Sequence, residues 1–503
     1  YLTLIYKQYP YSKIATTYNS LKMNIKSNFN SDDEQYEFIR KSQSNKITQD
    51  KVQKIETNYL PLNLNYVNLS SIGFAKAGGA MASIIENEII LMDRLGFFYK
   101  YDSTLTKTKI RVPNNLLSFT KSYEGNRNIG TTSLRAFKIV FASEKNQIIA
   151  SYSRYDSKNN IVNVLSAINL SDFNNGINNW TDLFVSAPFE NLAHSTQAGG
   201  GAIAINNSFV YLTIGYADDK LENKMSGKII RINLENNKIQ EITRGHRNSQ
   251  GIVILDNGNI IATEHGPQGG DEINILKKGG HYGWPFLSYG TDYGKFNTYL
   301  EDLNSSSYIS PLFSFIPSIG ISSIIQLNSF DKKWKGNLLV GSLKAMTLKR
   351  LLLEENRIVY SEDIFIGERI RDILEVQNKI YLLTDNSNIV EITLDEEKLK
   401  TNIKGDGLAS LNTSLVKCTS CHSFSNTNNS FGPSLENIKN RKIGSSNYDK
   451  YSSGLKNYNG FWTQKNMESF LKDPQKFIQG SKMPNQNLSD LEIKQILKTI
   501  YDL

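Results

Sequence analysis

From about Tyr59 onward the chain is a succession of short runs rich in β-branched, aromatic and aliphatic residues, each cut by Asn, Gly, Asp or Ser. Examples are 82–93 (ASIIENEIILMD), 96–102 (GFFYKYD), 136–143 (AFKIVFAS), 147–155 (QIIASYSRY), 161–170 (IVNVLSAINL) and 227–243 (GKIIRINLENNKIQEIT). No long segment at helical spacing interrupts them. Such runs bury one or both faces only as strands, so the region reads as an antiparallel all-β domain with hairpin connections. Loose recurrences of roughly 40–50 residues suit the blades of a propeller. A sandwich or a barrel accommodates the same strands.

At 503 residues the chain exceeds what one core holds, and two or more domains are expected. Its formal charge of +8 is modest for that length. The lysines are spread through Asn-, Ile- and Ser-rich sequence instead of clustering with aromatics, which argues against nucleic-acid binding. The two cysteines, Cys418 and Cys421, are too close in sequence to staple a domain. Residues 1–56 are polar and charged, with 31–43 readable as a short helix capped by Ser31 or Asp32. The chain opens at Tyr1 with no methionine, so an N-terminal signal or membrane anchor is expected to have preceded it. No run approaches the length needed to span a bilayer.

The densest chemistry lies between Gly245 and Pro285, which holds three of the five histidines: His246, His265 and His281. Two short apolar strands, IVIL and NIIAT, flank the turn dipeptide Asn257-Gly258. Arg247 beside Asn248 pairs a guanidinium with a carboxamide, suited to an anionic or oxygen-rich small molecule. The GPQGGDE segment supplies turn carbonyls and carboxylates, the hard oxygen donors that calcium prefers.

GHRNSQG, TEHGPQGGDEINIL, GGHYGWP and SYG, in this order, resemble the soluble pyrroloquinoline quinone (PQQ)-dependent glucose, sorbosone and aldose sugar dehydrogenases. Trp334–Lys344 and Gly367–Ile373 carry the resemblance further. It implies a six-bladed β-propeller over residues 57–396. It also implies that Lys344, Arg369 and Arg371 clamp the cofactor carboxylates and that Asn248 positions the ring. The carbonyls of Gly266 and Pro267 would hold calcium as a Lewis acid, and Arg247 would stabilise the developing oxyanion. In the family a histidine two residues before paired glycines is the general base. Placing Gly200-Gly201 on that pair puts Ala198 at the histidine position and Ala202 at the family arginine; Gln197 cannot act as a base. His194 is then the nearest candidate base, with Glu264 or His265 as substitutes for another alcohol.

After a charged linker (DEEKLK), Cys418-Thr419-Ser420-Cys421-His422 forms the C-x-x-C-H haem-attachment signature, and no second Cys pair exists to make it half of a zinc site. Residues 405–503 resemble class I cytochromes c of the mitochondrial type, giving a C-terminal all-α domain over 397–503. The resemblance implies His422 and Met483 as axial ligands and Pro433 as acceptor for the other His422 ring nitrogen. Arg441, Tyr451, Trp462 and Ser481 would meet the haem propionates. Phe470 departs from the tyrosine usual there. Lys417, Lys442 and Lys482 are candidates for a charged ring around the haem edge. Independently of the resemblance, Ser489 and Glu492 form a capping box before an apolar stripe of Leu491, Ile493, Ile496, Leu497 and Ile500, and Thr463 caps a helix that stops near Pro474.

The expected protein is a periplasmic or otherwise extracytoplasmic quinohaemoprotein. It would oxidise an aldose sugar or related alcohol with PQQ and calcium and pass electrons through haem c to a downstream cytochrome or terminal oxidase. The alternative is a propeller that has lost its base and serves as a non-catalytic docking module for the cytochrome.

Overall fold

The computed structural model describes residues 51–102, 105–115, 136–158, 160–189, 200–216, 225–291, 307–399, 418, 421–423, 432–486 and 488–501. The chain divides into two compact units, one containing Asn63–Thr393 and the other Leu394–Leu503. The expected helix at 31–43, and His194, Gln197, Ala198 and Lys417, lie outside the described residues.

Twenty-five strands are described, and they gather into six antiparallel sheets. The first two are β1 (Lys51–Glu56) and β2 (Pro61–Asn68). Blade 1 follows as β3 (Ala80–Ser83), β4 (Ile89–Met92), β5 (Phe97–Tyr101) and β6 (Thr106–Arg111). Blade 2 is β7 (Ala136–Ala142), β8 (Gln147–Tyr155), β9 (Ile161–Asn169) and β10 (Thr181–Val185). Blade 3 is β11 (Gly200–Asn206), β12 (Phe209–Ile214), β13 (Lys228–Asn233) and β14 (Ile239–Arg244). Blade 4 is β15 (Ser249–Ile254), β16 (Ile260–Glu264), β17 (Asp271–Ile275) and β18 (Phe313–Phe315). Blade 5 is β19 (Ile321–Gln326), β20 (Leu338–Ser342), β21 (Thr347–Glu354) and β22 (Arg357–Phe365). Blade 6 is β23 (Ile370–Val376), β24 (Lys379–Thr384) and β25 (Asn388–Leu394), completed from the other end of the chain by β2 and β1.

The six inner strands touch in a closed ring, β3 to β7 and onward to β23, which returns to β3. This is a six-bladed β-propeller. Radial repetition leaves each blade only a short outer edge. Among the described residues strand structure is present from Lys51, ahead of the Tyr59 start read from the sequence. The run 82–93 is a hairpin and not one strand, because a tight turn at Ile85–Asn87 separates β3 from β4. Hydroxyls stitch neighbouring blades together: Ser151 donates to the Gly201 carbonyl, Thr213 to Ser249 (3.1 Å), Thr263 to Ser322 (2.6 Å) and Ser322 to Ile370 (2.7 Å). Apolar residues fill the spaces between blades; Phe98 of β5, for example, meets Phe173 edge-on at 5.5 Å.

The C-terminal unit is helical. Its described helices are α1 (Ser453–Asn457), α2 (Gln464–Lys472), α3 (Pro474–Phe477) and α4 (Asp490–Tyr501). Thr463 caps α2 by accepting from Asn466 N (3.2 Å), and Asp473 ends it and caps α3. Ser489 and Glu492 bond reciprocally, Glu492 N to Ser489 Oγ at 3.3 Å and Ser489 N to Glu492 Oε2 at 2.7 Å. Trp462, Met467, Phe470, Leu471, Ile493, Ile496 and Leu497 form its core. Leu491 is a correction to the expected stripe: it is 65 % exposed, because at 3.6 residues per turn it lies on the helix face opposite Ile493, Ile496, Leu497 and Ile500. No helix among the described residues is long and apolar enough to cross a membrane.

Candidate functional site

In each blade the start of the inner strand lies beside the end of the second strand, as in Ser249 opposite Glu264, Ile321 near Ser342 and Ile370 opposite Thr384. The loops before the inner strands and the loops after the second strands therefore share one face of the propeller. Arg247, Asn248, Gly266, Pro267, Lys344, Arg369 and Arg371 all belong to those loops or to the first residues of the strands they enter. Five of the inner strands carry a β-bulge near this end, at Ala136/Lys138, Gly200/Ile203, Ser249/Gly251, Ile321/Ile324 and Ile370/Asp372. Bulges re-aim side chains, and here they do so around the axis. A small cavity opens there, with Gly79, Lys138, Gly200, Gln250, Ser323 and Arg371 each coming from a different blade.

Gly200 and Gly201 both have positive φ (+68° and +78°). A Cβ on Gly200 would lie 2.7 Å from Gly215 N, and one on Gly201 would lie 2.4 Å from the Phe137 ring. The glycine pair is thus required by the backbone and its neighbours. Asn248 reaches this pair: its Oδ1 accepts from Gly200 N (3.2 Å) and from Gln250 Nε2 (2.7 Å). Arg247 is nearly buried and firmly held. Its N–H donates to Glu264 Oε1, and its carbonyl accepts from Tyr216 N (2.8 Å). Its guanidinium donates to the carbonyls of His265 (3.3 Å) and Gly266 (3.1 Å) and lies 5.3 Å from the Trp284 ring centre. Its Nε is buried and meets no acceptor among the described residues.

On blade 6, Asp385 gathers two of the expected cations. Arg371 donates to it from Nε and Nη2, both at 2.9 Å, and Arg369 from Nε at 2.9 Å. Burial raises the Asp385 carboxyl, but Arg371 and Arg369 more than offset this and hold it below its ordinary value. Arg369 also donates to the Leu343 carbonyl (3.3 Å), beside the exposed Lys344. Four of the expected residues, Asn248, Lys344, Arg369 and Arg371, therefore lie on the loops or strand starts of one propeller face, and Arg371 lines the cavity.

Three features of this region escaped sequence reasoning. Asp385 is one; a lone Asp after an apolar strand looks like a turn residue. The second is the buried pair Lys138–Asp372 across the channel. Its only local signal is a lysine inside the apolar strand AFKIVFA. The third is Glu272, directly opposite Glu264 on β17 and β16. Burial, then the charges of Glu264 and Asp271, push Glu272 up to about 8, while Asn274 Nδ2 donates to it at 3.2 Å. A carboxyl raised in the fold stabilises it below the ordinary glutamate value of about 4.3, and that contribution is lost as pH rises toward 8. Glu272→Gln is therefore expected to flatten the fall in urea midpoint between pH 5 and pH 8. An unchanged fall would mean that Glu272 is ionised throughout.

Glu264 is occupied structurally. Besides Arg247 N, it meets His246 Nδ1 at 2.8 Å and Ser249 Oγ at 3.4 Å, and it is buried. This corrects its listing as a substitute base: every approach to the carboxylate is taken by the protein. His265 is half-buried, with Nδ1 3.8 Å from Asp271 Oδ1.

In the C-terminal unit, Cys418 O accepts from Cys421 N (3.2 Å) and His422 N (2.9 Å), so both thiols and the imidazole leave a single turn. Neither cysteine is in a disulfide. His422 Nδ1 lies 2.8 Å from the Pro433 carbonyl. A Cβ on Gly432 would come 2.7 Å from the imidazole, so glycine is what admits the ring. Burial lowers the His422 pKa, partly offset by Pro433, which favours the neutral ring with Nε2 as its free lone pair. Arg441 donates to the carbonyls of Glu436 (2.9 Å) and Ser434 (2.8 Å), and its Nε is buried with no acceptor among the described residues. Tyr451 shares a hydrogen bond with Ser446. Trp462 is in the core, and Ser481 Oγ accepts from the N–H of the half-buried Met483 (3.3 Å).

The glucose/sorbosone dehydrogenase family profile matches residues 136–391, half of the chain and most of the propeller. The chain belongs to this family. An uncharacterized Synechocystis protein, slr1608, is 32 % identical over 221 residues, covering 40 % of this chain and 52 % of that one. Quinoprotein glucose dehydrogenase B of Acinetobacter calcoaceticus is 26 % identical over 262 residues, 38 % of this chain and 53 % of that protein. The chain thus spans about half the length of these two relatives. The apo crystal structure of the soluble aldose sugar dehydrogenase of Escherichia coli superposes with a TM-score of 0.53 at 21 % identity, covering 66 % of this chain and 99 % of that one, a likeness of fold. Separately, cytochrome c2 of Rhodoblastus acidophilus is 35 % identical over 69 residues, 14 % of this chain and 64 % of the cytochrome.

Proposed function

We propose that this member of the glucose/sorbosone dehydrogenase family is a quinohaemoprotein that oxidises an aldose or related alcohol with PQQ and delivers the electrons to a covalent haem in its C-terminal unit. The observation that carries the reading is that Asn248, Lys344, Arg369 and Arg371 sit on the loops and strand starts of one propeller face, with Arg371 lining the axial cavity. A tricarboxylate needs several cations on separate loops, and this set is of that kind. When bound, PQQ supplies two-electron oxidising power to the alcohol carbon. Arg371 and Arg369 bind and orient carboxylates, pre-aligned by Asp385. Asn248, held by Gly200 and Gln250, fixes the depth of the ring. Arg247 sits beside Asn248 with a buried, unmatched Nε and stabilises oxyanion charge as it develops. His194 takes the hydroxyl proton.

The Gly266 carbonyl accepts one hydrogen bond, from Arg247 (3.1 Å), and its second lone pair together with the Pro267 carbonyl would be the donors for calcium. Haem c fits the C-terminal unit: Cys418 and Cys421 would supply the thioether sulfurs, His422 and Met483 would bind the iron, and the orphaned Nε of Arg441 would be a donor for a propionate. Tyr451, Trp462 and Ser481 complete the propionate partners. Thioether attachment of haem takes place outside the bacterial cytoplasm, so the reading includes a periplasmic location and an external electron acceptor.

Ala198 at the family's histidine position favours the second reading, a propeller that binds but does not turn over. One experiment separates the two. The purified full chain, reconstituted with PQQ, is mixed with a panel of aldoses while the haem α-band is followed. Haem reduction that depends on both PQQ and sugar is expected. PQQ binding without reduction by any sugar would leave the docking module. In Cys418→Ser/Cys421→Ser, haem staining on a denaturing gel is expected to vanish; persistence would overturn covalent attachment at this motif.

A further inference from the structure

Blades 1 and 6 close the ring, and the two ends of the propeller meet at this seam. Ala77 N donates to the Asp385 carbonyl at 2.9 Å, and Ser387 Oγ to the Phe74 carbonyl at 3.1 Å. Asp385 is the carboxylate that holds Arg369 and Arg371. A third arginine lies at the same seam. Arg94 follows β4, in the blade 1 loop that corresponds to the Asp385 loop of blade 6, on the propeller face that carries the other cations.

The turn that presents Arg94 is rigid. Asp93, wholly buried, accepts from Leu95 N (2.9 Å), Phe97 N (3.1 Å) and Tyr99 OH (3.0 Å). The Arg94 carbonyl accepts from Ala136 N (2.9 Å) at the start of blade 2. Gly78 leaves room for the side chain: a Cβ there would stand 3.0 Å from Arg94 Cβ. The next residue, Gly79, lines the axial cavity together with Arg371. Burial lowers the Arg94 pKa, the Arg371 charge lowers it further, and Asp385 partly restores it. Arg94, Arg371 and Asp385 thus share one electrostatic neighbourhood, and a polycarboxylate entering it would meet cations from both sides of the seam.

We propose that Arg94 is a further ligand-binding residue, closing the anion site from blade 1 so that an incoming polycarboxylate is gripped across the seam of the ring. The inference rests on the reading of this mouth as a polyanion site and extends it to a residue outside the family motifs quoted above. Binding then ties blade 1 to blade 6, and the ligand stabilises the ring as well as occupying it.

The test is calorimetric titration of the full chain with two probes, PQQ and benzene-1,3,5-tricarboxylate. Arg94→Gln is expected to weaken both by about 10- to 100-fold, as for loss of one charge-assisted contact. The slope of log affinity against log salt should also become shallower. Binding of both probes within twofold of the parent overturns the proposal. If the parent binds the tricarboxylate but not PQQ and the variant loses it, Arg94 keeps its role and the quinone reading falls. If the parent binds neither, both fall. Should Arg94→Gln fail to fold, the parent decides the matter: the better-binding probe should protect Arg94 from phenylglyoxal, read by mass spectrometry. Modification at an unaltered rate overturns the proposal.

Discussion

Arg247→Ala is expected to lower sugar-dependent haem reduction by about 10²–10³-fold, the range for removing one preorganised oxyanion donor. PQQ affinity and the haem spectrum should change little. The reason lies in how the side chain is held. Glu264 fixes its N–H, Tyr216 its carbonyl, and the carbonyls of His265 and Gly266 one end of its guanidinium, under the Trp284 ring. A donor fixed before reaction need not reorganise when charge appears, and burial magnifies its effect. Arg247→Lys should recover little of the loss, since an ammonium is a point charge without the planar fork that holds the other guanidinium nitrogens fixed while Nη1 is bound to the two carbonyls. The measurement is a split of kcat from PQQ Kd. Unchanged kcat in Arg247→Ala would remove Arg247 from the chemistry, and a loss confined to Kd would make it a cofactor ligand.

The largest effect on stability is expected at Asp372. This buried carboxylate accepts from Met81 N (2.8 Å), Ser323 Oγ (2.8 Å) and Ile373 N (2.9 Å), and it pairs with the Lys138 ammonium. Through it, blades 1, 2, 5 and 6 meet at the axis. Asp372→Ala strands an ammonium that is 20 % exposed and orphans a backbone N–H, a loss of about 3–5 kcal/mol. For a domain of this size that corresponds to a fall in Tm of about 5–15 °C. Lys138→Gln should cost less, because Asp372 keeps three neutral donors while the ammonium's remaining partner is Ser323 at 3.4 Å. Thermal and urea unfolding of the two single variants and the double variant measure the coupling. A loss below 1 kcal/mol in Asp372→Ala would show that the inner strands hold their ring without this hub.

How much was legible beforehand varies with the range of the interaction. The IVIL and NIIAT runs became β15 and β16, with Gly258 at φ +82° in the connecting turn, because alternation and a glycine turn act within a few residues. The Thr463 cap and the Ser489/Glu492 box formed as read, since each needs only one turn of helix. Leu491 stands outside the stripe because at 3.6 residues per turn it falls on the face opposite Ile493, Ile496, Leu497 and Ile500. The start at Lys51 was missed because β1 and β2 complete a sheet whose other strands lie some 320 residues later, as in the bond between Asn68 and Asn388.

Strands, turns, caps and the Cys-x-x-Cys-His turn were determined by the sequence itself, because backbone sterics and hydrogen bonds between near neighbours decide them. Only the tertiary structure decided that Arg371 and Arg369 share Asp385, that Lys138 meets Asp372 from 234 residues away, and that Arg247 lies on the Gly266 carbonyl. The first and last are made within one blade, but the Lys138–Asp372 pair depends on closing a ring of six twisted sheets, which brings the same end of every blade to one axis. No window of sequence contains the closure, and so no window contains the site.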